Sequence, residues 1–170
     1  NIDLADNYFE QLSNVVYIVV SDQDIITSVN YRMNNPDVDY SIELYNQRKV
    51  EAKIKQFDVL ENVKNAIIVG PSGEYLYYYG ASLVQGYAFD EQPWFMEATD
   101  TNRMRFVNYH PTDYLLNGSE KQTVSLVVPI LNASQYFLAE TAYLLCDFSL
   151  EPILVDPGRD GEVQIAVYNG

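Results

Sequence analysis

Hydrophobic side chains recur every three or four residues along the first part of the chain, which is the spacing of an amphipathic helix with one buried stripe. In residues 2–30 these positions are Tyr8, Phe9, Leu12, Val15, Val16 and Val19. The sequence Asn34-Asn35-Pro36 breaks the pattern, because proline disfavours the helical conformation of the residue before it. A cap at Asp37 or Asp39 then starts a second predicted helix. Its apolar face carries Ile42, Tyr45, Ile54, Phe57 and Leu60.

The periodicity changes after Asn62 to short apolar runs separated by turn residues. Strands are predicted over residues 65–70, 75–79, 104–109, 123–131, 136–148 and 162–168, and short helices over 90–99 and 150–155. Pro71-Ser72-Gly73-Glu74 has the composition of a turn, so the first two strands should form a hairpin. Strands arranged as hairpins, without helical crossovers, indicate an antiparallel sheet. The predicted fold class is therefore α+β.

Composition and charge narrow the classes of function. The 170 residues suffice for one domain with a substantial core, and the 48% hydrophobic content is that of a globular protein. With 24 acidic and 10 basic residues, the net charge is −14. This charge argues against nucleic acid and anionic membrane surfaces as partners, because both attract basic clusters. Cys146 is the only cysteine, so an internal disulfide is excluded.

The sequence carries no catalytic or metal-binding signature. His110 is the only histidine and is expected in a loop before Pro111. The chain has no nucleophile elbow, no glycine-rich phosphate loop and no Cys/His cluster. Residues 156–162 begin like a calcium loop, but Gly158 and Val167 stand where oxygen ligands are required. We expect no enzymatic activity of this chain, no cofactor and no metal site.

The most informative stretch runs from Tyr87 to Ala98 and contains the aromatic pair Trp94-Phe95. It resembles the pocket helix of Cache (PAS-like) sensor domains, in which an aromatic pair followed by Ala closes a small-molecule cavity against the sheet. Residues 123–130 resemble the family's strand that ends in Pro-Ile, and residues 139–150 its strand that ends in Asp before a helix. The resemblance covers nearly the whole chain. It implies long N-terminal helices packed on a PAS-like antiparallel β-sheet.

The amino-acid-binding members of this family have a recognisable pocket pattern, which the chain matches in part. Tyr87, Trp94, Tyr109 and Asp147 match, whereas Gln92 replaces an Arg and Phe95 replaces a Tyr. In the family, Arg and Trp hold the ligand carboxylate, while Tyr and Asp hold its amine. Neutral Gln92 cannot supply the bidentate clamp that a carboxylate needs. The expected partner is thus a small molecule, with an amine, an amino-acid-like compound, a carboxylate or a sugar as candidates.

Several of these residues have alternative interpretations. Asp147 follows an apolar strand, so it must be solvated, paired or ligand-facing, or else it caps the helix predicted at 150–155. Trp94 is either a pocket wall or part of the core. Arg103 and Arg105 lie two apart on a predicted strand and should share one face. They either bring positive charge to an anionic ligand or lie on an exposed sheet face.

The resemblance also predicts the context of the chain. Residues 1–62 would form a helical segment, 63–156 the PAS-like ligand-sensing module, and 157–170 the last strand, which opens a membrane-proximal module. The implied protein is a bacterial membrane receptor with this domain extracellular or periplasmic, most similar to YesM-type sensor histidine kinases. Chemoreceptors, cyclic-dinucleotide-signalling proteins and modules that read a solute-binding protein are the alternatives. The start at Asn1 suggests an excised fragment without its flanking transmembrane helices, and a homodimer through the N-terminal helix is expected.

Overall fold

The computed structural model describes residues 2–55, 63–80, 82–118, 122–130 and 141–148. The elements predicted at 150–155 and 162–168 and the loop at 132–135 lie outside these residues. The predicted division at residues 62 and 156 therefore stays a prediction.

Three helices, rather than the two expected, open the chain. They are α1 (Ile2–Val20), α2 (Gln23–Asn34) and α3 (Tyr40–Ile54). The first predicted helix is divided because the Asp22 carboxylate accepts hydrogen bonds from the backbone N–H groups of Asp24 and Ile25, at 2.9 and 3.3 Å, and so caps a new helix. Asp39 caps α3 in the same way, as one of the two predicted positions. None of the described helices is both long and apolar enough to cross a bilayer.

The remaining elements form a five-stranded antiparallel sheet with one short helix. The strands are β1 (Val63–Val69), β2 (Tyr75–Tyr79), β3 (Arg105–Pro111), β4 (Gln122–Ile130) and β5 (Ala142–Phe148), in the order β2-β1-β5-β4-β3. A 3₁₀ turn (Phe89–Glu91) and helix α4 (Pro93–Thr99) lie between β2 and β3. The predicted α+β class is confirmed. His110, which was expected in a loop, is instead buried on β3.

The sheet separates two hydrophobic layers. One face of β1, β4 and β5 packs against the helices, burying residues such as Leu12 and Val50 against Ile68, Leu126 and Leu144. The opposite face packs against the α4 segment, which we define as residues 82–118 without β3. This second layer contains Ile67, Val69, Phe89, Phe95, Ala98, Tyr114, Val127, Tyr143 and Leu145. Because side chains alternate between the faces of a strand, odd-numbered residues of β4, of β5 and of β1 from Asn65 onward face the α4 segment.

The β1–β2 turn is fastened to the α4 segment at Gly73. The backbone angle φ of Gly73 is +76°, which glycine adopts without strain because it has no Cβ. The backbone N–H of Phe89 donates to the Gly73 carbonyl at 3.0 Å. A Cβ at this position would lie 2.6 Å from the backbone nitrogen of Asp90 and in contact with its carboxylate. The close approach of these two backbones therefore requires glycine.

Candidate functional site

A row of polar side chains crosses three neighbouring strands on the face that carries the α4 segment. Asn65 of β1 and Ser125 of β4 are each paired in register with Asp147 of β5. All three side chains are buried. Residues paired in this way have Cβ atoms about 5 Å apart on one face. The register therefore gathers an amide, a carboxyl group and a hydroxyl inside an otherwise apolar sheet.

Asp147 is the centre of this row. Tyr114 donates its hydroxyl to Oδ2 at 2.8 Å, and the Asn65 amide donates to the same oxygen at 3.1 Å. The Ser125 hydroxyl lies 2.6 Å from Oδ1. The carboxyl group is thus paired through both oxygens within the protein, as a buried carboxyl must be. Its role as a cap of the helix predicted at 150–155 lies outside the described residues.

A bulge in β3 adds a histidine to the row. The pairing of β3 with β4 shifts between Val107 and His110, so that one strand bends locally and re-aims a side chain. His110 Nε2 consequently lies 2.7 Å from the Ser125 hydroxyl, and its Nδ1 lies 2.9 Å from the Pro111 carbonyl oxygen. A carbonyl can only accept, so Nδ1 carries a hydrogen. The contacts form one chain from Asp147 through Ser125 to His110.

This chain of contacts accommodates two arrangements of its protons. With ionised Asp147, Ser125 donates to the carboxylate and a doubly protonated His110 donates to Ser125. With neutral groups, protonated Asp147 donates to Ser125, which in turn donates to His110 Nε2. Burial raises the pKa of Asp147 and lowers the pKa of His110, because both charged forms lose hydration. Both shifts favour the neutral arrangement.

An aromatic layer covers the polar row. Trp94 stacks on His110 with ring centres 3.9 Å apart and planes inclined by 19°. Phe89 contacts Trp94, Phe95 and Tyr114 at centroid distances of 6.3, 5.5 and 5.3 Å. Most of these ring pairs are tilted or edge-on, which aromatic quadrupoles favour. The layer shields the Asp147 network from solvent.

Trp94 presents a hydrogen-bond donor that the protein does not use. Its Nε1 is buried and has no partner among the described residues. Buried indole N–H groups are usually paired, and an unpaired buried donor costs free energy. Helix α4 thus holds a donor next to the His110 ring, where it could meet an acceptor of a bound molecule.

Two clefts lie beside the aromatic layer. One, of about 300 Å³, is lined by residues that include Asp90, Phe95, Asn102 and Tyr143. The other, of about 360 Å³, is bordered by Tyr75, Gly86 and Tyr87. Both volumes are at the lower end of the range for small-molecule sites.

Tyr87 and Gln92 lie at the site that the sequence predicts, but both are engaged within the protein. The Tyr87 hydroxyl donates to Asp113 at 2.7 Å, and its ring packs on Phe89. Burial and Asp113 raise the pKa of Tyr87, so its hydroxyl stays a donor. Gln92 precedes α4, and its amide donates to the Ala88 carbonyl at 3.2 Å. Phe95 is buried in the core beneath the layer.

The tyrosine that contacts Asp147 is Tyr114, not the predicted Tyr109. Tyr109 is 64% exposed and lies within the β3 bulge, whereas Tyr114 is fully buried and bonded to Asp147. Sequence alone assigns the later Tyr of the family pattern to Tyr109, because it does not fix the length of the loop before this tyrosine. The structure does not bring Tyr109 to the site.

The two predicted arginines do not share a face as expected. Arg105 begins β3 and bonds to Asp100 at 3.2 Å and to the Glu97 carbonyl at 3.1 Å, which ties the strand to the end of α4. Arg103 precedes the strand and is exposed. It lines a separate cleft beside α1. The prediction was wrong because the strand begins two residues later than Arg103.

Asn65, His110, Tyr114 and Ser125 are the members of the site that sequence analysis missed. Asn65 and Ser125 are uncharged polar residues next to the apolar runs of their strands, and this is the signal that could have identified them. Their common neighbour, Asp147, emerges only from the strand register. The bulge that places His110 has no evident sequence signal.

The arrangement differs from that of a serine hydrolase. In a hydrolytic triad the histidine lies between the serine and the carboxylate, and the serine is accessible to substrate. Here Ser125 lies between the other two groups and is fully buried. Within the described ranges, no group of His, Cys, Asp and Glu is arranged to hold a metal ion.

Comparison with known proteins identifies the architecture. No family model and no curated protein sequence matches the chain. Solved structures do match it. A domain of a sensory box/GGDEF-family protein from Vibrio parahaemolyticus has a TM-score of 0.61 at 12% sequence identity. The match covers 87% of this chain and 56% of that one. The extracellular domain of a histidine kinase has a TM-score of 0.61 at 10% identity, over 87% and 53%.

A third similar structure is the ligand-binding domain of the Pseudomonas fluorescens chemoreceptor CtaA in complex with L-isoleucine. Its TM-score is 0.52 at 12% identity, over 88% of this chain and 53% of that one. The chain thus spans about half the length of these structures. The helices α1 to α3 lie on one side of a five-stranded antiparallel sheet, and the α4 segment lies on the other. This arrangement is the Cache/PAS-like fold of sensor domains.

Proposed function

We propose that this chain is the extracytoplasmic, small-molecule-sensing domain of a membrane-bound signal-transduction receptor. The observation that carries the proposal is the buried Asp147 network beneath an aromatic layer whose Trp94 Nε1 has no partner among the described residues. Largely aromatic surroundings with a few placed polar groups are typical of ligand sites, and two clefts adjoin the aromatic layer. The shared fold of extracellular sensor domains supports the same conclusion.

The proposed binding residues are Tyr87, Trp94 and Asp147, joined by His110 and Tyr114. Gln92 and Phe95 would support helix α4 rather than contact the ligand. On this face Arg105 is already paired with Asp100, and Gln92 is neutral. A ligand carboxylate bound beside the Asp147 network would therefore meet no unpaired cation among the described residues that adjoin the network. An amine or a hydroxyl-rich molecule fits the site better than a carboxylate or an amino acid does.

The output of the full-length protein is proposed to be a histidine kinase of the YesM type. The sequence resemblance supports this choice, and a histidine-kinase sensor is among the similar structures. The fold is equally compatible with a GGDEF protein or a chemoreceptor. Signalling requires that the ligand bind one arrangement of the domain more tightly than another. We propose that closure of the α4 segment over the polar row shifts the sheet against α1.

A thermal-shift screen of amines, sugars, carboxylates and amino acids tests this proposal. A ligand of the folded state raises the melting temperature increasingly as its free concentration exceeds its Kd. Trp94→Phe keeps an aromatic ring and removes the N–H group, and should weaken binding of a hit by about tenfold, the worth of one buried hydrogen bond. Tyr109→Phe, an exposed control, should leave binding unchanged. If no compound raises the melting temperature, and Trp94→Phe alters only stability, the proposal fails.

Dimerisation through α1 is proposed separately. Tyr17 and Ile18 are 53% and 59% exposed near the end of this helix and could pack against a second copy. Light scattering on the chain would show a dimer that Ile18→Glu converts to a monomer. A monomeric wild-type chain at high concentration would contradict the idea.

A further inference from the structure

A third and larger cleft lies on the other side of the sheet, at its β3 edge. Its volume is about 690 Å³, and it lies between the α1–α2 junction and the neighbouring ends of β3 and β4. Val20, Ile26, Met104 and Val128 contribute apolar walls. A cleft of this size is well within the range of small-molecule sites.

The mouth of this cleft carries an unpaired positive charge. Arg103 is exposed and has no acidic partner among the described residues. The nearby acidic groups are already engaged, since Asp22 and Asp24 pair with lysines of α3 and Asp100 pairs with Arg105. The side chains of Gln23 and Asn102 add amide groups to the rim. In a chain of net charge −14, Arg103 thus brings to an apolar cleft a cation with no acidic partner among the described residues.

We propose that this cleft is a second ligand site, which takes a small amphipathic carboxylate such as a medium-chain fatty acid. The alkyl chain would lie against the apolar walls, and the carboxylate would bind the Arg103 guanidinium, whose planar fork matches two carboxylate oxygens. The site is on the opposite face from the Asp147 network and does not rest on the function proposed for that network.

The cleft is also connected to the α4 side of the sheet. Asn102, at its rim, accepts a hydrogen bond from the Tyr143 hydroxyl, which lies 3.3 Å from the carbonyl oxygen of Thr99 at the end of α4. A ligand that contacts Asn102 would therefore touch a residue bonded to the layer around α4. The same ligand would contact the junction of α1 and α2.

Isothermal titration of the 170-residue chain with octanoate tests the site, with octanol and octylamine as probes of equal chain length. Octanoate should bind, octanol should bind more weakly, and octylamine should not bind. Arg103→Gln should weaken octanoate binding by about fivefold to tenfold, the range for a partly exposed charged contact. Lys64→Gln removes another exposed cation, on β1 and outside the lining of this cleft, and should have no effect.

Absence of octanoate binding would overturn this inference. Equal binding of octanoate by wild type and Arg103→Gln, with octanol equally tight, would overturn it as well. Arg103→Lys keeps the charge and should retain most of the affinity. This variant separates loss of the charge from disturbance of the local fold as the cause of weaker octanoate binding. Trp94→Phe should leave octanoate binding intact. If Trp94→Phe abolishes it, the carboxylate binds at the first site and this cleft is not the site.

Discussion

The hydroxyl of Tyr114 provides a direct test of the buried network. Tyr114→Phe removes one of the two donors to Asp147 Oδ2 and leaves the ring packing in place. Removing one hydrogen-bond partner of a buried polar group costs about 1–3 kcal/mol. We therefore expect the free energy of unfolding to fall by about 2 kcal/mol. In a domain of this size, that loss lowers the melting temperature by about 4–8 °C.

Tyr109→Phe is the matched control, because it makes the same chemical change five residues away. Tyr109 is 64% exposed, and its hydroxyl has no hydrogen-bond partner in the described part of the chain. Its free energy of unfolding should change by less than about 0.5 kcal/mol. Urea unfolding followed by circular dichroism would measure both variants, with the slope in urea compared to check that the transition is unchanged. Equal losses in the two variants, or no loss in Tyr114→Phe, would refute the assignment of Tyr114 to the network.

Three further predictions concern protonation, capping and backbone contact. Burial lowers the pKa of His110 below its usual 6.5, so the folded state binds fewer protons than the unfolded state as the pH falls. The stability that His110 contributes should therefore be lost below about pH 6.5. His110→Asn should make the free energy of unfolding depend less on pH in that window. Asp22→Ala should cost about 1 kcal/mol through loss of the α2 cap, while Asp22→Asn, which can still cap, should recover most of it. Gly73→Ala should cost about 2–4 kcal/mol, because a methyl group there meets Asp90 and strains the backbone. Gly86→Ala, with positive φ but open space, should cost only about 1 kcal/mol.

For each of these three predictions, one measured result would contradict the reasoning. His110 is the only histidine, so its imidazole resonances titrate without overlap, and a pKa above 6.5 would contradict the predicted direction. For Asp22, equal destabilisation by Ala and Asn in chemical denaturation would assign the effect to charge rather than to capping. For the glycines, equal losses at the two positions would mean that contact with Asp90 is unimportant.

Much of the fold was predictable because it depends on short-range patterns. The hairpin around residues 71–74 and the cap at Asp39 are confirmed, since turn composition and capping residues act locally. The break at Asp22 was missed because the apolar stripe of Val19 and Ile25 continues across it. A helical periodicity does not show where one helix stops and another of similar phase begins.

The sequence by itself determined the α+β class and the acidic and cysteine-poor character, and it indicated Trp94 and Asp147 as candidate site residues. These follow from local periodicity, from composition and from the cost of placing a carboxylate in an apolar strand. Only the tertiary structure decided which groups meet Asp147. Asn65 and Tyr114 are 82 and 33 residues away from Asp147 along the chain. Strand register, which depends on the pairing of whole strands, brings Asn65 to Asp147, and the bulge in β3 adds His110. Tyr114, rather than Tyr109, lies in the site because the turn after β3 carries it to the buried face.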